Sequence, residues 1–227
     1  MGTDKSITTL INQWIKDYYE PLKERKCVTD YGGEILGTPI PIENLGDKIL
    51  FIGLNPGKTH GYTIEKNLSE LFSEEGLPLD RCWYGWGSHN IVGGIKKILK
   101  SLFPALTEED IIKRVLYTNA SFFRTRHQDT IEEWQFDISY PLVKSFIDTN
   151  GKPIFVFGTK AYEYLKRRMN MNLVSSHNVG WAKWKVKLFI NESNQKMIGL
   201  PHLSYDWTTR KEVPEELWTA ISAFINT

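Results

Sequence analysis

Lys48-Ile-Leu-Phe-Ile-Gly-Leu-Asn-Pro-Gly57 decides the fold class. Residues 48–52 are a short apolar run with turn residues directly behind them, which is the pattern of a strand buried on both faces of a parallel sheet. Arg-Val-Leu-Tyr-Thr at 114–118 and Pro-Ile-Phe-Val-Phe at 153–157 read the same way. Helical spacing recurs between these runs. Ile91, Val92, Ile95, Ile98, Leu99, Leu102 and Phe103 share one broad face, with Ser88 or Asn90 available as a cap. Thr107-Glu-Glu-Asp110 has the form of a capping box opening a short helix. Strand–helix alternation of this kind predicts an α/β fold, a three-layer α/β/α sandwich around a central, mostly parallel sheet.

Working outward, Ile7, Leu10, Ile11, Trp14, Ile15, Tyr18 and Leu22 recur at helical spacing, and Pro21 disturbs the last turn. Residues 27–47 are rich in Gly and Pro and read as a loop. Helices are expected around 64–72 and 159–169, and over 131–147 with an interruption near Pro141. Trp184, Val186 and Leu188 alternate with Lys183, Lys185 and Lys187, as in a half-buried strand. A turn at 191–194 leads into a strand at 196–200, and Pro214 suits the first turn of a closing helix. The 227 residues show no internal repeat or low-complexity tract. They are expected to form a single domain over 1–227, with an N-terminal helical extension over about 4–26. A chain of this size buries roughly 70–75% of its unfolded surface, so it needs no disulfide or metal staple.

Composition narrows the function classes. Hydrophobic residues make up 41% and charged residues 24%, a globular balance that excludes disorder and collagen-like structure. The apolar runs are too short to span a bilayer, and the first residues show no signal-peptide core, so no membrane partner is expected. Cys27 and Cys82 form no CxxC pair, which excludes a zinc ribbon or a cysteine-ligated iron–sulfur cluster. The expected location is therefore cytoplasmic, or nuclear in a eukaryote. A net charge of +1 says nothing about a polyanionic partner. Lysines 96, 97 and 100, Arg124 with Arg126, residues 166–168 and lysines 183, 185 and 187 do cluster, although a solvated face explains each cluster taken singly. Of the eight Trp, Trp83 and Trp86 sit with Tyr84 among glycines and charges, where a core is hard to build.

Three segments place polar residues just beyond predicted strand ends, the edge at which open α/β sheets bind ligands. They are Gly53-Leu-Asn-Pro-Gly57, Thr118-Asn-Ala-Ser-Phe-Phe123 and Gly199-Leu-Pro-His-Leu-Ser204. The first is no Walker A loop, because Gly53 and Gly57 enclose three residues rather than four and Pro56 removes an N–H donor. Asn55 equally suits a turn that caps its own backbone, Asn119 a strand-end turn and His202 a packed histidine. Their order along the chain, three polar groups at three strand ends, is what raises a site.

Ile52-Gly-Leu-Asn-Pro-Gly57 resembles the first motif of the uracil-DNA glycosylase superfamily, closest to its mismatch-specific and single-strand-selective branches. Val115-Leu-Tyr-Thr-Asn119 is similar to the strand whose terminal Asn reads the uracil edge. Pro201-His-Leu-Ser204 resembles the last motif, His-Pro-Ser, and Phe157-Gly-Thr-Lys-Ala161 resembles the strand–Gly–helix unit between them. The ordered set covers roughly residues 48–205, with Leu203 in place of the usual Pro and Lys58-Thr-His60 as an unusual continuation. The resemblance implies a monofunctional enzyme of base excision repair. It would hydrolyse the N-glycosidic bond of uracil or a related damaged base in DNA, as a monomer, with no metal, cofactor or Schiff base. Asn55 would position the water and His202 would donate to the departing base. Gly53, Leu54, Pro56, Gly57, Asn119 and Ser204 would line the base pocket, with Trp86, preferred over Tyr84, as its aromatic floor. Lys58, Arg124, Arg126 and Lys160 would track phosphates. Two other readings stay open: a binding module of the same fold that does not cleave, and a hydrolase acting on a small nucleoside or nucleotide.

Glycosylase chemistry suits these residue types. Unstacking a base costs a few kcal/mol, returned by stacking and by hydrogen bonds to its pairing edge. An Asn amide carries both donor and acceptor, so Asn119 can match a uracil-type edge and reject the opposite pattern of cytosine. An Asn is no strong base, so Asn55 would hold water rather than deprotonate it, and modest rates follow.

Overall fold

The computed structural model describes residues 6–23, 32–38, 48–56, 63–73, 90–125, 130–180, 183–203 and 213–227. Six strands form one sheet: β1 (Ile49–Gly53), β2 (Val115–Asn119), β3 (Ile154–Phe157), β4 (Asn172–Asn178), β5 (Lys185–Ile190) and β6 (Lys196–Leu200). Their order is β2-β1-β3-β6-β5-β4. β2, β1, β3 and β6 run parallel, while β5 and β4 close one side as antiparallel neighbours. Seven α-helices stand among the described residues: α1 (Ile7–Trp14), α2 (Ile64–Leu71), α3 (Asn90–Leu102), α4 (Glu108–Arg114), α5 (Glu133–Asn150), α6 (Thr159–Arg168) and α7 (Glu215–Asn226).

Alternation along the buried strands builds two cores. Leu50 and Ile52 of β1, Leu116 of β2, Ile154 and Val156 of β3 and Met197 of β6 face α1, α2, α5 and α6. Phe51, Val115, Tyr117, Phe155, Phe157, Ile198 and Leu200 face α3, α4 and α7. Successive side chains of a strand point to opposite faces, so a fully apolar run feeds both layers at once. The result is the three-layer α/β/α sandwich expected from the sequence. No helix among the described residues is long and apolar enough to cross a membrane.

Local chemistry explains several boundaries. The Thr107 hydroxyl accepts from the Asp110 N–H at 3.1 Å and the Asp110 carboxylate accepts from the Thr107 N–H at 2.9 Å, so the capping box opens α4 as expected. α5 ends at Gly151, whose φ of +62° is a left-handed cap open to glycine.

One expectation is corrected. The helix around Pro141 is not interrupted: α5 runs from Glu133 to Asn150 through it. Proline there removes the bond to the Asp137 carbonyl, and packing compensates. The Trp14 indole donates to the neighbouring Ile138 carbonyl at 2.8 Å, and the Tyr140 hydroxyl donates to the Arg168 carbonyl at 3.2 Å. The N-terminal helix takes part in that packing. Ile7, Ile11 and Trp14 are buried in the first core, and Trp14 meets Phe122 edge-on at 5.2 Å. The helix continues as a π-helical turn (Ile15–Tyr19) and a 3₁₀ turn (Glu20–Leu22) that accommodates Pro21.

β4 was not foreseen. Its residues are mostly exposed, with Leu173 at 52% and Val174 at 55%, because an edge strand touches neither core and leaves no apolar alternation to read. At the other edge, residues 32–38 lie along β2 although they form no strand. Glu34 N–H donates to the Phe122 carbonyl at 2.9 Å, Gly37 N–H to the Tyr117 carbonyl at 3.2 Å, and the Thr118 hydroxyl to the Ile35 carbonyl at 2.7 Å. Asn67 of α2 holds that segment, accepting from Ile35 N–H at 2.7 Å and donating to the Leu36 carbonyl at 3.1 Å. Asn67→Ala strands these buried groups and is expected to cost about 3 kcal/mol, read as a lower urea midpoint.

Candidate functional site

The carboxyl ends of β1, β2, β3 and β6 lie side by side, and each supplies one part of the site. Gly53 and Asn119 are register partners at the ends of β1 and β2. The pairing continues past the strands, since Ala120 N–H donates to the Gly53 carbonyl at 2.8 Å and Ser121 N–H to the Leu54 carbonyl at 3.0 Å. Gly158 N–H donates to the Leu200 carbonyl at 3.0 Å, which fastens the β3 turn to the end of β6. Gly158 has φ of +97°, where a side chain would be strained, and it turns the chain directly into α6. The N-terminus of α6 thus brings its partial positive charge to this edge.

Asn119 is 0% exposed. Its Oδ1 accepts a long hydrogen bond of 3.4 Å from the Tyr117 hydroxyl, and its Nδ2 has no partner among the described residues. Buried amides are nearly always satisfied, so an orphaned donor at a sheet edge calls for an explanation. Burial, reinforced by the negative field of Glu34, holds the Tyr117 hydroxyl far above its ordinary range, which keeps it a donor at any physiological pH. Tyr117 lies two residues before Asn119 and therefore on the same face of β2.

Gly53 is the floor beneath them. A Cβ there would lie 2.6 Å from Asn119 Oδ1, 2.8 Å from the Tyr117 hydroxyl and 3.1 Å from Phe157 Cζ. Phe157 in turn meets the His202 ring edge-on at 5.5 Å, and a Cβ on Gly158 would sit 3.4 Å from His202 Cδ2 and 3.7 Å from the Leu54 Cβ. The Asn119 amide and the His202 imidazole are thus joined through Gly53 and Phe157. Gly53→Ala is expected to lose about 1–3 kcal/mol by overpacking and to displace Asn119, measured by denaturant midpoint.

Asn55 is half-buried beyond Gly53, and its Nδ2 donates to the Thr125 hydroxyl at 3.2 Å. That bond ties the loop after β1 to the loop after β2. Leu54 and Pro56 are buried beside it. Gly57, Lys58, Trp86, Arg126 and Ser204, all expected at the site, lie outside the described residues, as do Tyr84 and Ser88.

Arg124 is corrected. Rather than reaching phosphate, its side chain is 10% exposed and sits 3.5 Å from the carboxylate of buried Glu34. Burial outweighs that attraction and pushes the Glu34 carboxyl up to about 7. Other basic clusters are also engaged. Lys96 and Lys100 share Glu108, Lys166 and Lys187 share Glu163, Arg167 faces Glu133 and Arg168 faces Asp137. Exposed pairs of this kind contribute little stability, but they lower the local positive potential. Lys160 stands exposed in the first turn of α6, beside the Gly158–His202 contact.

Sequence reasoning missed the parts played by Tyr117, Phe157, Thr125 and Glu34. The two-residue spacing of Tyr117 and Asn119 was the one available signal, whereas nothing local links Glu34 to Arg124. Among the described residues no three His, Cys, Asp or Glu side chains are grouped to hold a metal ion. Compared with models of known protein families the chain matches none, and a comparison with curated proteins finds no match either.

Proposed function

We propose that the chain is a monofunctional glycosylase of the uracil-DNA glycosylase type, hydrolysing the N-glycosidic bond of uracil or a related damaged base in DNA. The observation that carries this reading is the fully buried Asn119 amide, half-satisfied, joined to His202 through Gly53 and Phe157 at the carboxyl edge of the sheet.

The chemistry follows from those groups. Asn119 is closed off from solvent in the free chain, so a base turned out of the stack meets it only once the covering side chains give way, and then presents its pairing edge to the amide. Nδ2 donates to a carbonyl oxygen of the O4 type, and the second lone pair of Oδ1 accepts from N3–H. Cytosine offers a donor where uracil offers an acceptor, so it leaves Nδ2 unpaired and is rejected. As the glycosidic bond breaks, its electron pair goes to the base and positive charge grows on the sugar. His202 and the α6 N-terminus stabilise the anionic base, and water adds to the sugar carbon and gives up one proton, which ends on the departed base by way of solvent. Asn55, with Nδ2 engaged by Thr125, offers Oδ1 to that water and orients it without deprotonating it.

A second reading, hydrolysis of a small nucleoside or nucleotide, is favoured by one observation. Arg124 and most of the basic clusters are occupied in ion pairs, which weakens the case for a phosphate-tracking rim. The test is base release from single- and double-stranded oligonucleotides carrying uracil, hypoxanthine or a mismatch, run beside deoxyuridine. Release from oligonucleotides that Asn119→Leu abolishes supports the proposal. Release from the nucleoside alone selects the second reading. Salt-dependent oligonucleotide binding with no release from any substrate leaves a binding module.

A further inference from the structure

At the amino-terminal edge of the sheet, opposite the site above, lies a cavity of about 260 Å³. Phe155 of β3, Phe103 and Leu106 between α3 and α4, and Ile225 of α7 form its apolar wall. Phe155 is fully buried and the other three are half-buried, so the space opens to solvent on one side. Two basic residues also line it, mostly with the carbon stems of their side chains: Arg114, where α4 passes into β2, and Lys152, in the turn after α5.

The cations are held but not used. Lys152 N–H donates to Asn150 Oδ1 at 3.1 Å and its carbonyl accepts from Gln195 at 2.9 Å, so its backbone is fixed. Both side chains are exposed, and among the described residues neither makes an ion pair or a hydrogen bond. Asp110, whose field Arg114 shares, has one carboxylate oxygen taken by the N–H and hydroxyl of Thr107, at 2.9 and 2.8 Å. An apolar wall open to solvent gains by being covered with an apolar body. Two unpaired cations beside it favour a negative head on that body.

We infer that this cavity binds a small amphipathic anion, a monocarboxylate with an aliphatic or aryl body of roughly eight to ten carbons, below the size of a drug-like ligand. A hydrated polyanion is disfavoured because the apolar wall returns nothing for the water it loses. An uncharged apolar molecule fills the space but leaves both cations unmatched. The inference does not depend on what the opposite edge does.

Calorimetric titration of the full chain with octanoate, 4-phenylbutyrate and 1-octanol tests it, the two acids separating an aliphatic from an aryl ligand. At least one acid is expected to bind, with octanol about tenfold weaker, and the acid affinity falls as salt is added. The double substitution Arg114→Glu with Lys152→Glu should cost the acid about tenfold and leave octanol nearly unchanged. Leu106→Trp fills the space and should abolish binding of all three without lowering the melting temperature. Failure of both acids to bind at millimolar concentration overturns the inference. So does equal affinity for octanoate and octanol that ignores the charge reversal, or binding that survives Leu106→Trp.

Discussion

Asn119→Leu is expected to unfold at or above the wild-type denaturant midpoint while losing base release by about two to three orders of magnitude. The two effects have one cause. Asn119 is wholly buried, its Nδ2 is unpartnered, and its Oδ1 receives only a long bond from Tyr117. A leucine of similar volume removes a buried donor whose desolvation nothing in the folded chain offsets, so the fold gains or breaks even. The Tyr117 hydroxyl loses a bond of 3.4 Å, a small counterweight. A catalytic site that needs this donor loses it outright. Urea titration and single-turnover release on one preparation measure both. A large loss of stability with activity intact would show the amide to be structural and would remove the basis of the proposed function.

The second large effect is on stability as a function of pH, and it is carried by Glu34. This carboxyl is buried with Arg124 beside it, and burial raises it to about 7 in the folded chain. In the unfolded chain it titrates in the ordinary glutamate range, near 4.3. Below that range both states hold the proton and Glu34 contributes nothing to the pH dependence. Between the two values the folded state keeps a proton that the unfolded state has released, so stability falls as pH rises. Above the folded value the loss is complete, on the order of 3 kcal/mol. Glu34→Gln cannot ionise, so the difference in unfolding free energy between pH 5 and pH 8, read from urea titrations, should shrink by about 2.5 kcal/mol relative to wild type. Identical pH slopes in the two proteins would mean that Glu34 keeps its charge in the folded state. Titration of Glu34 also places a negative charge beside Tyr117, whose ring touches the Asn119 side of the site.

Some of this was legible in the sequence because it is governed by neighbours along the chain. The apolar run before Gly53, the helical face from Ile91 to Phe103 and the Thr107–Asp110 box depend on residues a few places apart, and the structure has each of them. Parallel topology then brings the strand ends to one edge, so Gly53, Asn119 and the segment leading to His202 could be expected as neighbours. β4 was illegible for the converse reason. Its exposed residues obey no periodicity and are held by pairing with β5, across a bulge near Val174.

Tertiary structure alone decided the rest. Pro141 reads as a helix breaker, and only Trp14, 124 residues away from Ile138, shows how the turn around it is secured. Arg124 reads as a surface cation until Glu34, carried alongside β2 by hydrogen bonds of residues 32–38, meets it in the interior. The Asn119 amide reads as a turn residue until the absence of a side chain at Gly53 leaves it buried with one free donor. Periodicity and capping are local and survive in one dimension. Burial, charge pairing and an unsatisfied donor are properties of a neighbourhood, and only folding assembles the neighbourhood.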